Sequence, residues 1–94
     1  MTTKWEDVKR ARPLSDEGRR EYARTRLAID VAEQVRALRV ALGLTQEQLA
    51  ERMGTQQSVI ARLEAGSPPS LRTLERLADV LNADLTVRLT ARAS

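Results

Sequence analysis

The 94-residue sequence contains no cysteine, no histidine and no phenylalanine, and only one tryptophan and one tyrosine. Without cysteine there are no disulfides, thiolate metal sites or thiol nucleophiles. Without histidine the commonest metal ligand and the side chain that titrates near neutrality are missing. Little is left from which to build an active centre, so no enzyme activity, no metal site and no cofactor are expected. With aromatics this scarce, a core must come from Leu, Val, Ile and Ala, a palette that suits packed helices. Nor is there an apolar run near the roughly 20 residues that span a bilayer, or the apolar stretch of a signal peptide. The expectation is a cytoplasmic protein with no membrane partner.

The chain is long enough for one modest core and too short for two. Its 16 basic and 13 acidic residues give a net charge of +3. That excess sits wholly at the front: through Arg26 there are eight basic residues against five acidic ones, 8 − 5 = +3, and the remainder balances. A chain this mildly basic neutralises few phosphates alone, and two copies acting together would bind nucleic acid far better.

Residues 1–14 show no apolar periodicity and read as an N-terminal arm. Trp5 is its one adhesive side chain, open either to packing on the domain or to anchoring a partner. Ser15, followed by Asp16 and Glu17, starts an N-terminal helix over residues 15–29. Asp30 with Glu33 resembles a second start, and Val31, Val35, Leu38 and Leu42 share one face. Two helices, or one with a kink, both fit. Gly43 supplies the stop. Thr45 and Gln48 form a capping box ahead of Leu49, Ala50 and Met53, and Gly54 ends that helix. A further helix runs from Gln56 or Gln57 to Glu64, with Val59, Ile60 and Leu63 inward, closed by Gly66 and Ser67-Pro68-Pro69. Ser70 caps the last one, in which Leu71, Leu74, Leu77, Ala78 and Leu81 repeat at helical spacing toward Asn82.

After Asp84 the period changes to two: Leu85, Val87 and Leu89 alternate with Thr86, Arg88 and Thr90, which is strand spacing. No other segment reads as a strand. This one must pair outside its subunit or remain a frayed tail, and self-pairing in a homodimer is the simplest closed solution.

The stretch GLTQEQLAERMGTQQSVIARLEAG joins two short helices by a turn at Gly54, and a major groove admits one α-helix. It resembles the helix-turn-helix of Xre-type and lambdoid phage repressors, over roughly Val35 to Ala83. The likeness rests on Leu44, Thr45, Gln46, Leu49, Ala50, Gly54, Gln57, Ser58, Ile60, Leu63, Glu64 and Gly66. The resemblance implies an all-α fold, a lambda-repressor-like helix-turn-helix bundle over residues 30–84, to which the residue pattern adds an N-terminal helix and a C-terminal β-strand in residues 85–94 for pairing between subunits. It further implies a double-stranded DNA operator as partner. Gln46 is placed on a phosphate, and Gln57, Ser58, Ala61 and Arg62 on base edges or flanking phosphates.

Gln57 is suited to sequence reading, since an amide can donate and accept at the N6 and N7 edge of adenine. Arg62 fits guanine or phosphate equally. Where these repressors carry Ser or Thr before the recognition helix, this chain has Gln56, so the cap falls either there or at Thr55. The resemblance also pairs Arg39 with Glu64 beneath the recognition helix. Any one of these polar residues could be an ordinary solvated position; the constellation is what argues for DNA.

The charged arm and helix ahead of this core, the phrase IARLEAG and the closing LTVRLTAR resemble antitoxins of the HigA type. Such antitoxins neutralise a RelE/HigB-like ribonuclease toxin and repress their own operon. The toxin-facing side is expected at Trp5, Arg19, Tyr22 and Arg26, and dimerisation at Leu85, Val87 and Leu89. Alternatives are a stand-alone repressor without a toxin and a protein-interaction adaptor that does not bind DNA.

Overall fold

The structure, a computed structural model, describes residues 15–93, so the expected arm and Trp5 lie outside the described residues. The described residues form four helices: α1 (Asp16–Ala41), α2 (Gln46–Met53), α3 (Gln57–Glu64) and α4 (Leu71–Val80). Three of them begin on caps of the kind local sequence specifies. The Ser15 hydroxyl accepts from the Gly18 N–H at 3.0 Å, and Ser70 accepts from Thr73 at 3.1 Å. Thr45 and Gln48 exchange reciprocal bonds, satisfying two backbone donors at the head of α2.

α1 is one unbroken helix of 26 residues. The possible second start at Asp30 does not interrupt it, and the boundary drawn between residues 29 and 30 falls inside it. The reason lies in the flanks: residues 26–33 hold neither glycine nor proline, so nothing stops propagation, and Asp30 and Glu33 stay helical and exposed. At the far end Gly43 adopts φ +71°, a left-handed geometry that costs a side-chain-bearing residue dearly, and the chain reverses toward α2.

At about 1.5 Å per residue α1 is about 39 Å long, whereas α2, α3 and α4 have eight to ten residues each. The short helices therefore cover only its C-terminal half: no residue of α1 before Ala28 is buried. The core draws Val35 from α1, Leu49, Ala50 and Met53 from α2, Ile60 and Leu63 from α3, and Leu77 with Leu81 from α4 and its end. Val31 and Leu74 pack on it half-buried. Leu38, Leu42 and Leu71, which periodicity alone assigns to the inner faces, remain exposed. Helical spacing marks a stripe, and the neighbours decide how much of it is covered.

No strand forms among the described residues. The strand expected over Leu85, Val87 and Leu89 does not form, because a ladder needs a second extended segment and the described residues supply none.

Leu49 and Ile60 have no exposed surface and sit where α2 and α3 meet. Replacing either by alanine is expected to cost about 2–5 kcal/mol of folding free energy, read as a lowered denaturation midpoint with an unchanged slope.

Candidate nucleic-acid interface

α2 and α3 are joined by only three residues, and the first two return their N–H groups to α2. Gly54, at φ +67°, turns its N–H to the carbonyls of Ala50 and Glu51, and the Thr55 N–H returns to Ala50 at 2.9 Å. The Thr55 backbone thus closes α2. The N-cap is Gln56, whose extended backbone precedes the helix and whose side chain makes no capping bond. Of the two positions the sequence left open for the cap, the structure takes Gln56 and leaves its amide exposed.

Along one edge of α3 stand Gln57 and Ala61, and beside them Ser58 and Arg62, each pair one turn apart. Gln57, Ser58 and Arg62 are exposed and Ala61 is half-buried. Arg62 forms no salt bridge among the described residues. The Gln57 amide donates to the Gln46 oxygen at 2.8 Å, bringing the heads of α3 and α2 together. Gln57 keeps one N–H and its oxygen unengaged, the two groups a bidentate contact with adenine requires. Gln46 in turn donates to Glu64 at 3.3 Å, so its side chain is half-buried and keeps a single N–H for a phosphate.

Beneath this row lies an ion pair. The Arg39 Nε donates to one Glu64 oxygen at 2.6 Å and its Nη2 to the other at 2.9 Å, while its Nη1 reaches the Leu44 carbonyl at 2.7 Å. The side chains are 12% and 5% exposed. Burial pushes the Glu64 carboxyl up, but the hydrogen bonds from Arg39 and Gln46, with the charges of Arg39 and Arg36, outweigh it and hold the group below the usual carboxylate range. The bond to Glu64 raises the Arg39 guanidinium further above its ordinary value.

Arg76 of α4 went unnoticed in the sequence. Its guanidinium donates to the Met53 carbonyl, an orphan acceptor at the end of α2, and so braces the turn that aims α3. Met53 and Arg76 are 23 positions apart, and no local pattern connects them.

Tyr22, Arg19 and Arg26 recur at three and four residues along the uncovered half of α1, on one face, all exposed. Leu85, Val87 and Leu89 are exposed on the C-terminal segment. No helix among the described residues is long and apolar enough to cross a membrane.

Because the folded Glu64 carboxyl ionises more readily than an unfolded one, its stabilising contribution is complete above the unfolded value of about 4.3 and disappears as pH falls through the lower folded value. Glu64→Gln is expected to lose on the order of 3 kcal/mol at pH 7, since Arg39 is left without its counter-charge. Urea titrations should also show the variant losing less stability than the native chain between pH 6 and pH 3. An equal acid dependence in both would remove the pair from this role.

Comparison with protein families places this geometry in context. The family model described as "Helix-turn-helix" matches residues 35–87, from the second half of α1 to the C-terminal segment. No curated protein matches the chain.

Proposed function

The chain belongs to the Xre-like helix-turn-helix family of DNA-binding regulators, and from that premise we propose that it is a sequence-specific, operator-binding antitoxin. In this reading it works in the cytoplasm as a homodimer, neutralises a RelE/HigB-like ribonuclease toxin and represses its own operon. The observation that carries the DNA-binding part is the exposed edge of α3, where Gln57, Ser58 and Arg62 stand exposed above the Arg39–Glu64 pair. A helix presented this way can enter a major groove without repacking its own subunit.

The roles follow from chemistry. Gln57 reads adenine, Arg62 contacts guanine or phosphate, Ser58 and Ala61 fit the groove floor, and Gln46 and Gln56 approach the backbone at the heads of their helices. Preorganisation favours the contact: Gln57 is already oriented by Gln46, so less side-chain freedom is lost on binding.

For the toxin, the support is the uncovered half of α1. None of the described residues from Asp16 to Leu27 is buried, and on this exposed length Arg19, Tyr22 and Arg26 supply cations beside one aromatic. A ribonuclease built to hold RNA carries buried or grooved positive charge of its own, so Tyr22 would anchor while the arginines seek acidic rim residues. Leu85, Val87 and Leu89 would hold the two copies together.

Replacing Gln57 and Arg62 together by alanine is expected to weaken binding to the upstream operator by at least roughly 30-fold while the circular dichroism spectrum stays helical. Retained specificity in a gel shift would overturn the assignment of α3. Separately, Tyr22→Ala with Arg26→Glu should abolish neutralisation of the ribonuclease encoded beside this gene and spare operator binding. Full neutralisation by that variant would reject the toxin surface, and a locus with no such ribonuclease would leave a repressor acting alone.

A further inference from the structure

Resting on the two-copy reading above, we propose that residues 83–89 pair antiparallel with the same segment of a second copy of this chain, in the register centred on Thr86. The segment is poised for a partner. After the Ala83 N–H donates to Ala78 at 2.8 Å, residues 84–93 make no backbone hydrogen bond to the described residues, and none of them is a proline. Each therefore offers a ladder donor and acceptor. Leu85 and Val87 border an apolar groove that they share with Leu27 and Leu38 of α1 and with Leu71 and Leu74 of α4. Their own subunit does not finish the job: Val87 is 66% exposed and Leu89 96%.

The register follows from parity and charge. Apolar side chains from both copies share a face only if the two-fold axis passes through a residue, because a shift by one moves every side chain to the other side. Among the residue-centred registers, those on Thr86, Val87 and Arg88 place different members of the Leu85, Val87 and Leu89 set opposite one another. Centred on Arg88, Asp84 faces the partner's Arg92, but the central guanidinium faces the partner's Arg88, like charge against like. Centred on Val87, Asp84 faces Thr90 and no opposite charges meet. Centred on Thr86, Asp84 faces the partner's Arg88 twice over, Leu85 faces the partner's Val87, and Leu89 lies beside the partner's Ala83 at the end of its α4. Opposite charges directly across an antiparallel pair attract and like charges repel, so the third arrangement is selected. Neither Asp84 nor Arg88 forms a salt bridge among the described residues, so both are free for this pairing.

The absence of cysteine makes the test direct. Residues opposite one another in an antiparallel ribbon have Cα atoms about 4.5–5.5 Å apart, within disulfide range, whereas positions two residues out of register are about 7–8 Å apart and outside it. In the full chain without DNA, Thr86→Cys is expected to be captured as a covalent dimer under mild oxidation, well ahead of Val87→Cys and Arg88→Cys. Asp84→Arg and Arg88→Asp should each raise the dimer dissociation constant roughly tenfold by sedimentation, and the double exchange should restore it. Faster capture at Val87 or Arg88, no capture at any of the three, or a monomeric native chain at micromolar concentration would overturn the proposal. Operator binding is measured apart on the same variants: capture at Thr86 without operator binding would uphold the pairing and count against the DNA reading, and operator binding without capture would do the reverse.

Discussion

The bidentate contact between Arg39 and Glu64 is where three parts of the chain are held in one place. Arg39 comes from the last turn of α1, Glu64 ends α3, and the third arm of the guanidinium takes the Leu44 carbonyl at the entry to α2. A planar fork with five donors suits this, because one rigid group satisfies a carboxylate and a carbonyl together. Burial makes the arrangement unforgiving: each charge has lost water and depends on the other. Apolar packing of Leu49, Ile60 and Leu77 brings the helices together, but it is compatible with small rotations. The ion pair restricts α3 to one orientation, and Gln46 carries that restriction outward to Gln57, where a nucleobase would be met.

The same fold leaves a good deal of apolar surface uncovered. α1 is far longer than the three helices that pack on it, and Leu27, Leu38 and Leu71 border a groove that the C-terminal segment lines without filling. Exposed leucines that are contiguous and faced by unpaired backbone are unlike the scattered apolar residues of an ordinary surface. The surface is thus divided in character. One side, around α3, is polar, braced from below and ready to meet a rigid ligand as it stands. The other sides, the free half of α1 and the C-terminal segment, are surfaces that protein partners could complete. A mildly basic single subunit suits that division, since affinity for a phosphate backbone grows with the number of charges brought to it.

What was legible in the sequence was whatever depends on neighbours within four or five positions. Ser15, Ser70 and the Thr45–Gln48 box announce three helix starts, and Gly54 announces the turn, because a cap is a contact between a side chain and the backbone three residues on. The residue types along α3 were visible for the same reason. Less legible was anything settled by competition. The Asp30–Glu33 pattern has the form of a cap, yet a helix with no breaker beside it propagates through such a pattern. The cap of α3 could not be assigned between Thr55 and Gln56 until the first helical residue, Gln57, was fixed.

Taken alone, then, the sequence determined the number and rough extent of the three short helices, the all-α character of the core, the polar edge of α3 and the change of period after Asp84. These are local consequences of periodicity, capping and composition. Only the tertiary structure decided that α1 runs unbroken, that Leu38 and Leu71 stay exposed, that Arg76 braces the turn from α4, and that Gln57, Gln46, Glu64 and Arg39 form one connected row. Each of those depends on groups tens of positions apart meeting in space, and chain distance says nothing about which of two compatible contacts wins until packing has removed the other.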